Sequence, residues 1–149
     1  MSKWLLPVML VIAAPVSAHD DAHHGADGGA AGHGLPPGSN EMLRAPVTAA
    51  PDLEVIVSDV IIPAGAQVPR HYHPGEEFLY LIEGSAIHVE EGKPDRLYKA
   101  GESFVIPPRA IHEPIGGPQG ARAIAFRVHV KDQPERILVP RDGPAPAAP

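Results

Sequence analysis

Residues 65–84 read GAQVPRHYHPGEEFLYLIEG, and residues 101–112 read GESFVIPPRAIH. His71 and His73 stand two apart, and side chains two apart in an extended strand share a face. Both imidazoles therefore aim at one point. Pro74 and Gly75 supply a turn, which folds the chain back and carries the carboxylate of Glu77 toward the same point. A third imidazole must come from another strand. His112 is the best candidate, because it follows the short apolar run 103–106 and the bend at Pro107 and Pro108. Three imidazoles and one carboxylate suit one divalent transition metal, Fe, Mn, Ni, Cu or Zn, with positions left for water or substrate.

Outward from this centre the chain shows no long helical period. Residues 53–60, 78–82, 85–90, 103–106, 121–130 and 136–139 read as short strands, with glycines and prolines between them. Such runs at roughly 8–12-residue spacing predict an all-β sandwich or barrel. In 85–90, Ile87 and Val89 form the apolar face and His88 and Glu90 the other. In 121–130, Phe126, Val128 and Val130 alternate with Arg127, His129 and Lys131. His88 and His129 are accordingly expected on the surface. Glu76 is expected at the rim, Tyr80 in packing, and Arg109 and Glu113 in a surface ion pair beside His112.

The first segment resembles the first motif of the cupin superfamily. That motif is Gly, five residues, His-x-His, three or four residues, Glu, six residues, Gly. Gly65, His71, His73, Glu77 and Gly84 match every fixed position. The second segment is similar to the second cupin motif at Gly101, Pro107 and His112. Arg109 stands where glycine is usual, and Gly116 where asparagine is usual. The resemblance covers roughly residues 52–140. It implies a double-stranded β-helix, a jelly-roll barrel of the small single-domain type. It also implies one divalent metal held inside by His71, His73, Glu77 and His112. The family commonly dimerises, so a homodimer is expected.

The ends read differently. Residues 1–18, MSKWLLPVMLVIAAPVSA, carry one charge, a short apolar run and small residues before the end of that run. They predict a signal peptide cleaved after Ala18, and hence a periplasmic or secreted protein without a stable membrane anchor. Residues 19–50 are expected to be a disordered His/Gly/Ala-rich segment that reads first as a flexible solubilising spacer, because its histidines are irregularly spaced, with His19, His23, His24 and His33 as loose metal donors in the alternative. The barrel is expected over 51–140, and residues 141–149 as a disordered Pro/Ala tail.

The whole chain has 149 residues, Lys+Arg 12 against Asp+Glu 18, a formal charge of −6 and no cysteine. No basic cluster exists to neutralise phosphates, which excludes nucleic acid as a partner. The absence of cysteine excludes disulfides and thiolate ligands. The resemblance implies a small-molecule ligand or substrate as the partner. The favoured function is a metalloenzyme acting on a small oxygenated molecule, of dioxygenase-like type, in which Glu77 doubles as ligand and proton acceptor. The alternative is a non-catalytic metal- or ligand-binding protein that uses the His-rich segment as a loading arm.

Overall fold

The computed structural model describes residues 34–141. The expected signal peptide, the histidines at 19–33 and the end of the tail lie outside the described residues. Eight strands follow in order: β1 Gly38–Pro46, β2 Leu53–Ile62, β3 His71–Tyr72, β4 Glu77–His88, β5 Arg96–Lys99, β6 Ser103–Ile106, β7 Ile115–Val130 and β8 Ile137–Leu138. Six form one sheet in the order β1-β2-β7-β4-β5, with β6 also paired to β4. β3 and β8 form a second, two-stranded sheet. Every pairing is antiparallel. Isolated bridges Gln67↔Ile115, His71↔His112 and Glu90↔His112 complete the second layer. The result is the antiparallel double-stranded β-helix that the sequence predicts.

Residues 38–46 correct one expectation. They belong to the stretch read as disordered, yet they form β1 and pair along β2 from Gly38↔Ile61 to Pro46↔Glu54. The segment has little apolar surface to bury, and its strand is held by backbone hydrogen bonds to a neighbour already in the sheet. Asn40 Nδ2 adds a bond to the Asp59 carbonyl at 3.1 Å.

The inner face of the sheet corrects a second. From Ala121 onward in β7 the buried residues are Ala121, Ala123, Ala125, Arg127 and His129, whereas Phe126 is 40% exposed. Alternation identifies two faces and does not say which of them is enclosed. The alanine stripe in the middle strand leaves space opposite Leu81 and Ile62, and a cavity of about 360 Å³ opens there.

Strand β4 also changes parity along its length. Glu77 and Leu81 face inward, and so do Ala86 and His88. The pairing register with β7 shifts between Leu81 and Glu83 and again between Gly84 and Ala86. A bulge of this kind turns later side chains to the opposite face. Gly84 makes it possible. Its φ is +68°, and a Cβ there would sit 2.1 Å from the Gly120 carbonyl oxygen.

Candidate metal centre

β3 and the loop before β7 bring the first two imidazoles together. His71 N donates to the His112 carbonyl at 3.0 Å and His112 N donates back to the His71 carbonyl at 2.9 Å. His73 follows two residues later, just past β3, and Glu77 opens β4. All four residues are buried. The rings of His71, His73 and His112 stand 4.3 to 5.4 Å apart, centroid to centroid. One nitrogen from each lies within 4.8 Å of the others.

The outer nitrogens of these rings are held by the backbone. His71 Nδ1–H donates to the Pro69 carbonyl at 2.6 Å, His73 Nδ1–H to the Glu135 carbonyl at 2.6 Å and His112 Nδ1–H to the Ala110 carbonyl at 2.9 Å. A carbonyl only accepts, so each ring is fixed as the Nδ1–H tautomer with its Nε2 lone pair turned to the centre. This is the arrangement that orients imidazoles for a metal. His73 Nε2 is buried with no hydrogen-bond partner. A buried donor set of three imidazole nitrogens fits a divalent transition metal.

Glu77 lies at the same centre but is shared. Its Oε2 is 3.4 Å from His73 Nε2 and 3.7 Å from His112 Nε2. Its Oε1 accepts from Arg127 Nη2 at 2.6 Å. The structure thus brings all four expected ligands together, with three imidazoles as the tight cluster and the carboxylate bridging from them to Arg127.

Arg127, on the same strand face as His129, is 5% exposed. Its Nη1 also meets Glu135 Oε1 at 3.0 Å and donates to Ser58 Oγ at 3.1 Å and Ser39 Oγ at 3.4 Å. Ser39 comes from β1, so the stretch expected to be disordered reaches the centre. His129 and His88, expected outside, are buried. His129 Nε2 donates to the Gln133 carbonyl at 3.0 Å. The sequence signal that locates Arg127 and His129 is their parity with Ala121, Ala123 and Ala125.

The other expectations divide. Tyr80 is 51% exposed on the outer face of the sheet, not packed inside. Glu113 engages Arg141 at 2.7 Å and Gln67 at 2.9 Å, and the Arg109 guanidinium lies 5.2 Å from the centre of the Tyr72 ring. Arg109 keeps the left-handed backbone its motif position requires, with φ 62°.

Burial dominates the electrostatics. It lowers His71 from 6.5 to about 3, helped by the neighbouring imidazoles, and His112 from 6.5 to about 4. His73 is lowered as well, again chiefly by burial. Burial alone would raise Glu77, but Arg127 first and the three imidazoles after it hold the carboxyl below its ordinary range. The imidazoles are therefore neutral and the carboxylate charged at neutral pH, which is the state a metal needs.

A pH dependence follows for the metal-free protein. The unfolded histidines take up protons near pH 6.5, whereas folded His71 and His112 refuse them until about 3 and about 4. Stability is full above pH 6.5 and falls as pH drops from there toward 4. Two such groups give a slope approaching about 2.7 kcal/mol per pH unit. Urea midpoints of the metal-free protein across that window measure it, and a flat profile would contradict these shifts.

Comparison with known proteins agrees with this fold. Residues 58–124 match the family model described as a cupin domain. A cupin-like protein from Thermotoga maritima is 30% identical, with 57% of this chain and 64% of that chain covered and a TM-score of 0.52. The DMSP lyase DddQ from Ruegeria pomeroyi is 22% identical, with coverages of 70% and 54% and a TM-score of 0.53. An RmlC-like cupin family protein from Methanocaldococcus jannaschii, with a double-stranded β-helix fold, is 17% identical, with coverages of 62% and 79% and a TM-score of 0.50. The chain spans less than two thirds of the length of the first two. At the two lower identities the likeness is one of fold. No curated protein sequence matches this chain significantly.

Proposed function

This chain belongs to the cupin family, and on that premise we propose that it is an exported, mononuclear metal-dependent enzyme for a small oxygenated molecule, with dioxygenase-like chemistry. One observation carries the reading. The three buried imidazoles stand at the wall of a cavity otherwise lined largely by apolar side chains such as Val60, Leu79, Leu81 and Phe104. A polar, metal-competent point in an apolar cavity is how small-molecule sites are built. A metal held by His71, His73 and His112, with Glu77 as fourth ligand, would supply Lewis acidity toward substrate oxygens and a place for O₂.

The chain's own residues set what the substrate must be. Arg127 keeps Glu77 ionised, so the carboxylate is ready to accept a proton but is a weak base. It matches a hydroxyl that is already acidic, such as an enol or a phenol. The apolar wall excludes water and favours a largely hydrocarbon body.

Residues 1–18 support export, and the His-rich stretch supports the second reading, a binding protein loaded through its tail. The exposed apolar side chains Phe78, Tyr80, Val105 and Phe126 share the outer face of the sheet and support a homodimer. Oxygen uptake tests the enzyme reading. Protein loaded in turn with Fe, Mn, Ni and Cu is expected to consume O₂ with a β-diketone or a polyphenol. Silence under every metal removes the dioxygenase reading and leaves the binding protein in its place.

A further inference from the structure

Among the described residues, three buried side-chain nitrogens have no hydrogen-bond partner: His73 Nε2, Arg127 Nε and His88 Nδ1. All three side chains line the one cavity. His73 Nε2 faces the metal centre. Arg127 is committed through its other nitrogens to Glu77, Glu135 and Ser58. His88 has no part in the chemistry proposed above. Buried polar atoms without partners are rare, and each requires a reason.

The surroundings of His88 fix which atom it offers. Its ring centroid lies 5.1 Å from that of Phe104, 6.3 Å from that of Tyr98 and 5.7 Å from that of His112. Its Nε2 is 3.1 Å from Glu90 Oε2. The other oxygen of Glu90 pairs with Lys93 Nζ at 2.7 Å. A carboxylate only accepts, so Nε2 carries a proton, and in the neutral ring Nδ1 then carries a lone pair. The bulge at Gly84 is what turns this ring inward.

We propose that His88 Nδ1 is a ligand-binding atom. It accepts a hydrogen bond from the O–H or N–H of a small, mostly apolar molecule whose oxygens meet the His71–His73–His112 end of the cavity. Hydroxylated ligands are thereby selected over their O-methylated counterparts, which leave Nδ1 buried and unpaired. The inference rests on the reading that the cavity is the substrate site, and it is independent of the metal's identity and of the reaction.

Phenol and anisole are a matched pair of probes, alike in shape and different in the O–H. Both are titrated by NMR into the full chain, zinc-loaded and metal-free, with ¹⁵N-labelled imidazoles. The expected result is His88 protonated on Nε2, and phenol bound about 5–10-fold more tightly than anisole, as one hydrogen bond to a buried acceptor gives. His88→Phe keeps the aromatic packing and is expected to equalise the two probes while zinc content stays at the wild-type level. Glu90→Gln frees the tautomer and is expected to shrink the preference. The tautomer and the ratio are both read in wild-type protein, so neither depends on a variant folding. A proton on Nδ1, equal binding of the probes, a preference that survives His88→Phe, or binding of neither probe overturns the inference. Failure of the metal centre shows separately, as missing zinc in protein that still discriminates the probes.

Discussion

His71→Ala is expected to abolish stoichiometric metal binding while leaving the barrel folded. The substitution removes one of three Nε2 donors, and the remaining pair, His73 and His112, has ring centroids 5.4 Å apart. Loss of outer partners alone typically costs 10–100-fold in metal affinity, so loss of a ligand is expected to cost more than about 100-fold. The fold has little reason to follow. The two backbone bonds between His71 and His112 do not involve the side chain, nor does the pairing of His71 with Leu138. Replacing a buried imidazole that must stay neutral also relieves the metal-free protein of a protonation cost at acid pH. Elemental analysis of protein kept from chelators, beside circular dichroism, reads both halves of the result. A deletion of residues 19–34 is the companion measurement. Metal kept in that deletion and lost in His71→Ala places it in the barrel. Metal kept in His71→Ala and lost with the deletion would place it in the tail and sink the site described above.

The centre was legible in the sequence for a definite reason. His71, His73 and Glu77 sit at a strand end and a turn, where local spacing dictates which side chains converge, and His112 is reached through the resemblance of residues 101–112 to the second motif. The run 103–106 coincides with β6, because a short apolar stretch between a Gly-Glu turn and two prolines has no other register. What the sequence concealed depends on the identity of the inward face. Ile87 and Phe126 look like core residues and His88 and Arg127 like surface ones, because apolarity usually marks the interior. Here the outer face of the sheet carries exposed apolar side chains, and the interior is partly polar because the imidazoles, Glu77 and Arg127 are buried in it. The register shifts beside Gly84 lie in the pairing with β7 and leave no local pattern. β1 was hidden for a related reason. Most of its side chains are exposed, so they carry no burial signal, and its backbone supplies the pairing. β5 has only Tyr98 turned inward, stacked on Phe104 at 3.8 Å between ring centroids. A single buried aromatic among charged neighbours does not announce a strand.

Arg127 joins these two observations, and its replacement is the sharper test of how the interior is held. Arg127→Met removes the guanidinium and leaves Glu77, 4% exposed, without its closest countercharge. Breaking one side of a buried ion pair typically costs about 3–5 kcal/mol. That loss is expected in urea unfolding of the metal-free protein at neutral pH. It has a chemical signature as well. The carboxyl of Glu77 is held low mainly by Arg127, so in the variant it rises and the stability loss lessens as pH is lowered and Glu77 takes a proton. A divalent ion at the imidazoles restores a positive charge beside Glu77. The metal-loaded variant is therefore expected to lose less stability than the metal-free one, and by linkage it must bind its metal more tightly than wild type. Adding Glu77→Gln to Arg127→Met neutralises the orphaned charge and is expected to recover much of the metal-free stability, although it surrenders the fourth ligand. Equal losses with and without metal, or a double variant no more stable than Arg127→Met, would mean that Arg127 acts through its bonds to Ser58 and Glu135. A greater loss in the metal-free protein together with recovery in the double variant would make Arg127 the countercharge that lets a carboxylate stand beside three neutral imidazoles before the metal arrives.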